Sequence, residues 1–486
     1  MEKNELLYAG VLSSGIAFLL QAYSQQNLSP APVAIIFSLE GVFASIFGWV
    51  FLNQFLSDLK IFGIIIISLF GCSKPPNIII ILADDAGYAD FGFTGSKEIK
   101  TPNIDNLAYD GVVFKNAYVS ASVCSPSRAG LLTGMYQQRF GHECNLDSDV
   151  NNSFDPNQIT IAEALKTKGY STGIIGKWHL GDKSQNHPLE NGFDYFWGFI
   201  SGARNYFYNP EEIKRKSIRN VLENYSQTSF EGYLTDVLGK KAADFAQENY
   251  ESNTPFFLFL SFNAPHTPMQ AKKEVLGQFK ENPRKVYASM MWSMDEAVGI
   301  LIDKLKKNKQ YENTIIYFLS DNGAAMSNGA SSYPHKGWKG NQFEGGIKTP
   351  MIMTWKNKIK PNTQFNGFIS SLDIFKTSLE VSNVDKSSMK NADGKNIMSS
   401  LYNKTIENED LFWRKDKMAT VRSGNYKLIR LNDTSTVLYN IKKNYYEDLD
   451  LKTKKPNIHD SLFKKLSNWE MLSLIHISEP TRQAEM

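Results

Sequence analysis

Cysteine is nearly absent from this chain, with three in 486 residues at positions 72, 124 and 144. An odd count excludes a complete disulfide framework. Excess charge of either sign is missing too: the formal net charge is +3. No clustered basic face of the kind a nucleic-acid binder needs can be picked out, so no nucleic-acid partner is expected. Internal repeats and long low-complexity runs are also lacking. What remains is ordinary globular composition, 42% hydrophobic and 21% charged, in a chain long enough for two or more domains.

Charge is missing most completely from the first seventy residues. None occurs between Glu5 and Glu40, and none between Glu40 and Asp58. The runs 6–23 and 29–53 each reach the length of a membrane span, about 20 residues. Their Gly, Ala and Ser content suits close helix packing in a bilayer. Residues 1–58 resemble a fragment of a drug/metabolite transporter, fused upstream of something else. Alone, two or three helices are too few for a permeation pathway. The next run, "LKIFGIIIISLFGCSK", has a shorter apolar core, the size of a signal-peptide h-region. Its "LFGC" resembles a bacterial lipobox, so 59–72 reads as a lipoprotein-like signal with lipid on Cys72. The alternative is a third spanning helix. The lipobox reading implies export to the bacterial cell envelope as a periplasmic or outer-membrane lipoprotein, with the membrane as a partner. At the other end "LSLIHISEPTR" resembles a translated sequencing adapter, which makes 472–486 an expected artefact tail.

Between these ends one pattern recurs. A short apolar run stops abruptly at polar residues: "NIIIILADD" at Asp84 and Asp85, "YSTGIIGKWHLG" at Lys177 and His179, "PFFLFLSFNAPH" at His266, "NTIIYFLSDNG" at Asp321 and Asn322. Such runs fit strands buried on both faces of a largely parallel sheet. Ligands in such sheets bind beyond the carboxyl ends of the strands, so the four polar sets should converge. Helical patterns lie between them. "TPNIDNLAYDGVVF" starts with Thr-Pro, "ITIAEALKTKGY" ends at Gly169, and "RKVYASMMWSMDEAVGILIDKLKKN" carries lysines in its last turn. The alternation predicts an α/β fold over 76–400. From 401 to 471, "MATVRSGNYKLIRL" and "STVLYNI" read as strands and "IHDSLFKKLSNWEM" as a closing helix, a smaller α+β domain with an antiparallel sheet.

A lone cysteine is most often a small buried hydrophobe. Cys124, however, begins "CSPSRAGLLTG", which resembles the C-x-P-x-R signature of type I sulfatases. "ADDAGYADFG", "GKWHLG", "APHTP", "SDNG" and "KGNQFEGGIKTP" match that family's other motifs in the family's order, over roughly 76–470. The resemblance implies an alkaline-phosphatase-like sandwich, with a large, mainly parallel sheet between helices. It implies that a formylglycine-generating enzyme reads Pro126 and Arg128 and oxidises Cys124 to formylglycine (3-oxoalanine), whose hydrate is a geminal diol.

A sulfate monoester is anionic, so the site must neutralise charge with cations and a metal. Asp84, Asp85, Asp321 and Asn322 form a hard oxygen set suited to Ca²⁺, or to Mg²⁺ in a small cavity, rather than Zn²⁺. The resemblance favours Ca²⁺ on these four residues and on residue 124. It implies attack by one hydroxyl of residue 124 on sulfur and a covalent sulfo-enzyme. His266 and Lys339 would sit on the substrate side, with His266 as the general acid. His179 would take the proton from the second hydroxyl, while Lys177 and Arg128 hold the diol. Arg204, Asn205 and His335 are further candidates for substrate contact; His187 and Cys144 read as ordinary residues. "YQQRFGHECN" resembles a stretch of sulfatases acting on N-acetylgalactosamine-6-sulfate or related glycans, which implies a sulfated carbohydrate substrate. Two alternatives remain: a phosphate or phosphonate monoester hydrolase of the same superfamily, and an inactive glycan-binding relative.

Overall fold

The computed structural model describes residues 74–145, 154–213, 217–403 and 410–483. The membrane-type segment 1–58 and the stretch 59–72 with Cys72 lie outside the described residues, as do the side chains of 473–486. Pro76–Met486 forms one compact unit. Among the described residues no helix is long and apolar enough to cross a membrane.

The strands of the large sheet are β1 (Asn77–Ala83), β2 (Val112–Tyr118), β3 (Ser171–Lys177), β4 (Tyr195–Phe199), β5 (Leu222–Glu223), β6 (Ser226–Gln227), β7 (Phe256–Ser261), β8 (Thr314–Ser320), β9 (Met351–Trp355) and β10 (Thr363–Ser370). They lie in the order β10-β2-β9-β8-β1-β7-β3-β4-β5-β6. The central run β8-β1-β7-β3-β4 is parallel throughout. β9 is antiparallel to both β8 and β2, so β2 points the same way as the central run. β10 pairs parallel with β2, and β5 and β6 add an antiparallel edge.

Every residue of β1, β7 and β8 is buried, the expected state of strands covered on both faces. The covering helices are α1 (Pro102–Asp110), α2 (Cys124–Thr133), α3 (Ile161–Lys166), α4 (Leu234–Glu251), α5 (Lys285–Lys307) and α6 (Asp373–Val381). Ile79 and Ile81 of β1 pack into one core with α1, α4 and α5. Ile78, Ile80 and Leu82, pointing the other way, pack with α2, α3 and α6. Burying each such side chain stabilises the fold by about 1.5–3 kcal/mol. The sequence signals place the helices well. Pro102 opens α1, Thr160 and Glu163 close a capping box on α3, and Lys304, Lys306 and Lys307 sit in the last turn of α5.

A second sheet of β11 (Leu411–Lys415), β12 (Met418–Ser423), β13 (Tyr426–Arg430) and β14 (Thr436–Asn440) is an antiparallel meander. Helix α7 (Pro456–Gln483) lays Leu462 and Leu466 on Ala419, Val421, Leu428 and Leu438. The large mixed sheet between helices and the small antiparallel one are the architecture read from the sequence.

Candidate active site

Four neighbouring strands deliver their terminal residues to one edge of the large sheet. β1 is followed by Asp84 and Asp85, and β8 by Asp321 and Asn322. Lys177 ends β3, and β7 ends at Ser261 shortly before His266. Backbone bonds lock the ends together: Asp321 N–H donates to Ala83 O and Asp84 N–H to Ala264 O, both at 3.0 Å. Asp85 (φ 67°) and His179 (φ 64°) leave their strands in the left-handed region. Non-glycine residues enter it at a cost of about 1–3 kcal/mol, and such strain concentrates at functional sites. β2 reaches the same edge and leads to Cys124, the first residue of the fully buried α2. Its Sγ lies 3.5 Å from Asp84 Oδ1 and 3.7 Å from Asp85 Oδ1.

Three cations face the three buried aspartates. Lys177 Nζ donates to Asp84 Oδ2 at 2.6 Å. Arg128 donates from Nε (3.0 Å) and NH2 (2.9 Å) to Asp321 Oδ2, and its NH1 reaches Lys177 O and Ser261 Oγ. Lys339 Nζ lies 2.7 Å from Asp85 Oδ1. Its loop is tied down by Lys339 N–H donating to Ala324 O and Gly340 N–H to Ser122 O. Burial pushes the Asp84 carboxyl up, and Lys177 beside it does not cancel the push. Burial also pushes Asp321 up, but Arg128, Lys177 and Lys339 outweigh it and hold that carboxyl below its usual range. The Cys124 thiol is raised well above its ordinary value by burial, with Asp321, Asp85 and Asp84 adding to it. A protonated thiol is a poor nucleophile.

The two histidines occupy different settings. His179 is held well below its ordinary pKa by burial, then by Lys177, Arg128 and Lys339, so its ring is neutral. Its Nδ1 is buried with no hydrogen-bond partner among the described residues. A Cβ on Gly202 would meet the His179 ring at 2.5 Å, so only glycine leaves the ring room there. Ser125 Oγ donates to His179 O at 2.6 Å. His266 places Nε2 3.5 Å from Asp85 Oδ2 and turns Nδ1 to Thr267 O at 2.7 Å.

Several supporting residues escaped the sequence reading. Ser261 accepts from Arg128 and donates to Lys177 O. Tyr206 OH lies within hydrogen-bond distance of both Asn263 O and His266 O, bracing the His266 loop. His142 Nε2 lies 2.7 Å from Ser125 Oγ. Ser261 carried a faint signal as the polar end of an apolar run; His142 stood inside "YQQRFGHECN" and Tyr206 next to Asn205, but neither had a spacing that set it apart. The substrate candidates are placed differently from the core set. Arg204 is buried, donates to Asn205 O and Arg219 O, and lies over the Phe230 ring. Asn205 Oδ1 accepts from Gln270 Nε2 at 3.3 Å. His335 packs edge-on against Tyr88.

Ligand atoms of Asp84, Asp85, Cys124 and His266 lie within 4.8 Å of one another. Asn322 donates from Nδ2 to Asp85 Oδ1, while its Oδ1 is buried with no hydrogen-bond partner among the described residues. Asp84 feels Asp321 and Asp85 as like charges. Crowded buried carboxylates and an orphaned amide oxygen fit a divalent cation, and the hard oxygen set fits Ca²⁺ or Mg²⁺.

A parallel sheet whose strand ends gather carboxylates, cations and histidines around position 124 defines an enzyme that cleaves anionic esters. Residues 76–384 match the sulfatase family, and the chain belongs to it. N-acetylgalactosamine-6-sulfatase of Mus musculus is 31% identical over 383 residues, covering 74% of this chain and 72% of that protein. The structure of Ps i-CgsB in complex with k-i-k-neocarrahexaose is 36% identical with a TM-score of 0.79, covering 82% of this chain and 94% of that one. PsFucS1 sulfatase from Pseudoalteromonas sp. shares the fold at 24% identity and a TM-score of 0.72, covering 85% and 93%. The protein is a sulfuric ester hydrolase. Residues 4–72 match the EamA-like transporter family, in keeping with the transporter resemblance. That match runs through Cys72 and takes in the lipobox-like stretch.

Proposed function

We propose that the enzyme removes sulfate from a sulfated carbohydrate, with residue 124 acting as formylglycine. The observation that carries this is the convergence of Cys124, Arg128 and Lys339 on four strand ends that bring three aspartates, Lys177 and two histidines. The names of the mouse relative and of the oligosaccharide-bound relative support a sugar sulfate. Formylglycine, formed by a formylglycine-generating enzyme, supplies a hydrated aldehyde with two hydroxyls, and Ca²⁺ on Asp84, Asp85, Asp321 and Asn322 supplies charge neutralisation and acidity.

The chain's own residues divide the remaining work. Arg128 and Lys177 hold position 124 in place through Asp321 and Asp84 and balance their charge. Lys339 and His266 would present cationic and proton-donating groups on the substrate side, with Nε2 the ring atom left to reach the leaving oxygen because Nδ1 is turned to Thr267 O. His179, kept neutral, accepts a proton from residue 124 when sulfate departs. Export to a bacterial envelope, with attachment through residues 1–72, belongs to the same reading; metabolic lipid labelling lost in Cys72→Ala tests it.

Sulfate release from sulfated hexasaccharides, measured beside phosphate release from a matched phosphate ester, tests the activity. Sulfate turnover exceeding phosphate turnover supports the reading. Faster phosphate turnover moves the enzyme to the phosphatase side of the superfamily.

A further inference from the structure

A cavity of about 370 Å³ is lined by Asp182, Lys183, Gln185, His187, Glu190 and Tyr225 among others. Gly181, in its lining, lies two residues after His179, a chain reach of about 7 Å. Ile200 lines the cavity and also accepts the backbone N–H of His179 at 3.0 Å. The cavity wall and the proposed proton acceptor thus share one backbone frame.

Two of its lining residues form an aromatic pair. Tyr225 stacks on His187 with centroids 4.5 Å apart and planes 25° apart. The tyrosine is 61% exposed, so its outer face is open to a ligand. It is also rigidly presented. Asn224 and Tyr225 form the two-residue turn between β5 and β6, with Asn224 at φ 56°. Asn224 N–H donates to Phe196 O at 2.7 Å, and Phe196 N–H returns a bond to Asn224 Oδ1 at 3.0 Å. Tyr225 OH donates to Glu190.

A flat ring ringed by carboxylates and an amide matches a pyranose, which has an apolar C–H face and a rim of hydroxyls. Two carboxylates, Asp182 and Glu190, against the single cation Lys183 disfavour a sulfated residue. We propose that this cavity is a subsite for an unsulfated pyranose neighbouring the sugar whose sulfate is removed. The proposal deepens the sulfated-carbohydrate reading and rests on it.

The test uses desulfated carrageenan and chondroitin hexasaccharides as probes, titrated calorimetrically into the full chain. At least one is expected to bind, with affinity reduced about tenfold or more in Tyr225→Ala and kept in Tyr225→Phe. Turnover of a small aryl sulfate is expected to stay within about twofold of the parent in both variants, which shows that they fold. No binding of either probe, or equal affinity in Tyr225→Ala, overturns the subsite. Tyr225-dependent binding without sulfate release from any sulfated hexasaccharide leaves a sugar-binding cavity and overturns the sulfated-carbohydrate reading instead.

Discussion

Among the described residues, two of the buried clusters of charge are built to opposite ends. The first is the strand-end set of Asp84, Asp85 and Asp321 with Arg128, Lys177 and Lys339. The second joins the Glu344 loop to the small sheet. There Glu344 accepts from Tyr118 (2.8 Å) and Arg422 (2.9 Å) on one oxygen and from Lys427 (3.0 Å) on the other. Lys427 also pairs with Glu447 at 3.0 Å, and Glu447 Oε2 accepts from Glu344 N–H. Burial pushes Glu344 up, yet Lys427, Arg422 and Lys348 overwhelm it and hold the carboxyl well below its ordinary range. Asp84, equally buried, ends above its ordinary range. The Glu344 cluster satisfies its central carboxylate internally. Both clusters keep buried polar atoms without a hydrogen-bond partner among the described residues, Arg422 Nε and the His335 nitrogens in one and Asn322 Oδ1 and His179 Nδ1 in the other, but only the aspartate cluster leaves like charge uncompensated at its central carboxylate. One is a fastener; the other is arranged for a cation and an anionic substrate it does not itself contain.

The sharpest separation comes from Cys124→Ala. Turnover is expected to fall on the order of 10⁴-fold or more, because the residues around position 124 act as a unit. Its melting temperature should stay near that of the parent, since the change removes only a small side chain. Loss of activity by unfolding would blur the distinction between the clusters.

The converse substitution is Glu344→Leu. Removing one partner of a buried ion network costs about 3–5 kcal/mol. Urea unfolding should show that loss, while kcat per folded molecule on an aryl sulfate stays within a few-fold. A kcat collapse at full folding would mean that the fastener also sets the chemistry through the Lys339 loop.

Metal dependence divides the clusters again. Saturating Ca²⁺, at about 100 times its Kd, should stabilise the parent by about 2.7 kcal/mol. Asp85→Asn should abolish that gain and Glu344→Leu should keep it, as read by thermal melts with and without chelator.

The smallest expected effect concerns His335. Burial, then Lys348, depress its pKa to about 3, with Lys427 and Arg422 also lowering it and Glu344 opposing, so it belongs electrostatically to the Glu344 cluster. A neutral folded-state histidine leaves the unfolded state holding the extra proton between pH 6.5 and 3. Stability attributable to it is therefore present above pH 6.5 and lost as pH falls. The loss is about 2 kcal/mol between pH 6.5 and 5. Unfolding curves of His335→Gln at pH 7 and 5 should show a flatter dependence. An unchanged slope would place the pH response elsewhere.

The two clusters also differ in how much of them could be read from the chain. The aspartate site was legible because each member stands at the end of an apolar run, and a parallel sheet sends all such ends to one edge. Asp84, Lys177, His266 and Asp321 were found that way, and the parallel sheet with them. Antiparallel β9 between β8 and β2 was not, since its apolar run resembles the parallel ones. The Glu344 network was invisible. Arg422 and Lys427 lie 78 and 83 residues away on a half-buried hairpin, and a pairing at that separation leaves no periodic trace. Glu344 stood inside the quoted motif "KGNQFEGGIKTP", where only Lys339 drew attention.

The central claim is that position 124 works as formylglycine and not as cysteine. The most direct measurement is the mass of the peptide carrying residue 124, from protein made together with a formylglycine-generating enzyme. The account predicts a loss of about 18 Da, the exchange of a thiol-bearing methylene for an aldehyde. An unmodified thiol, under conditions that convert a control sulfatase, would contradict it.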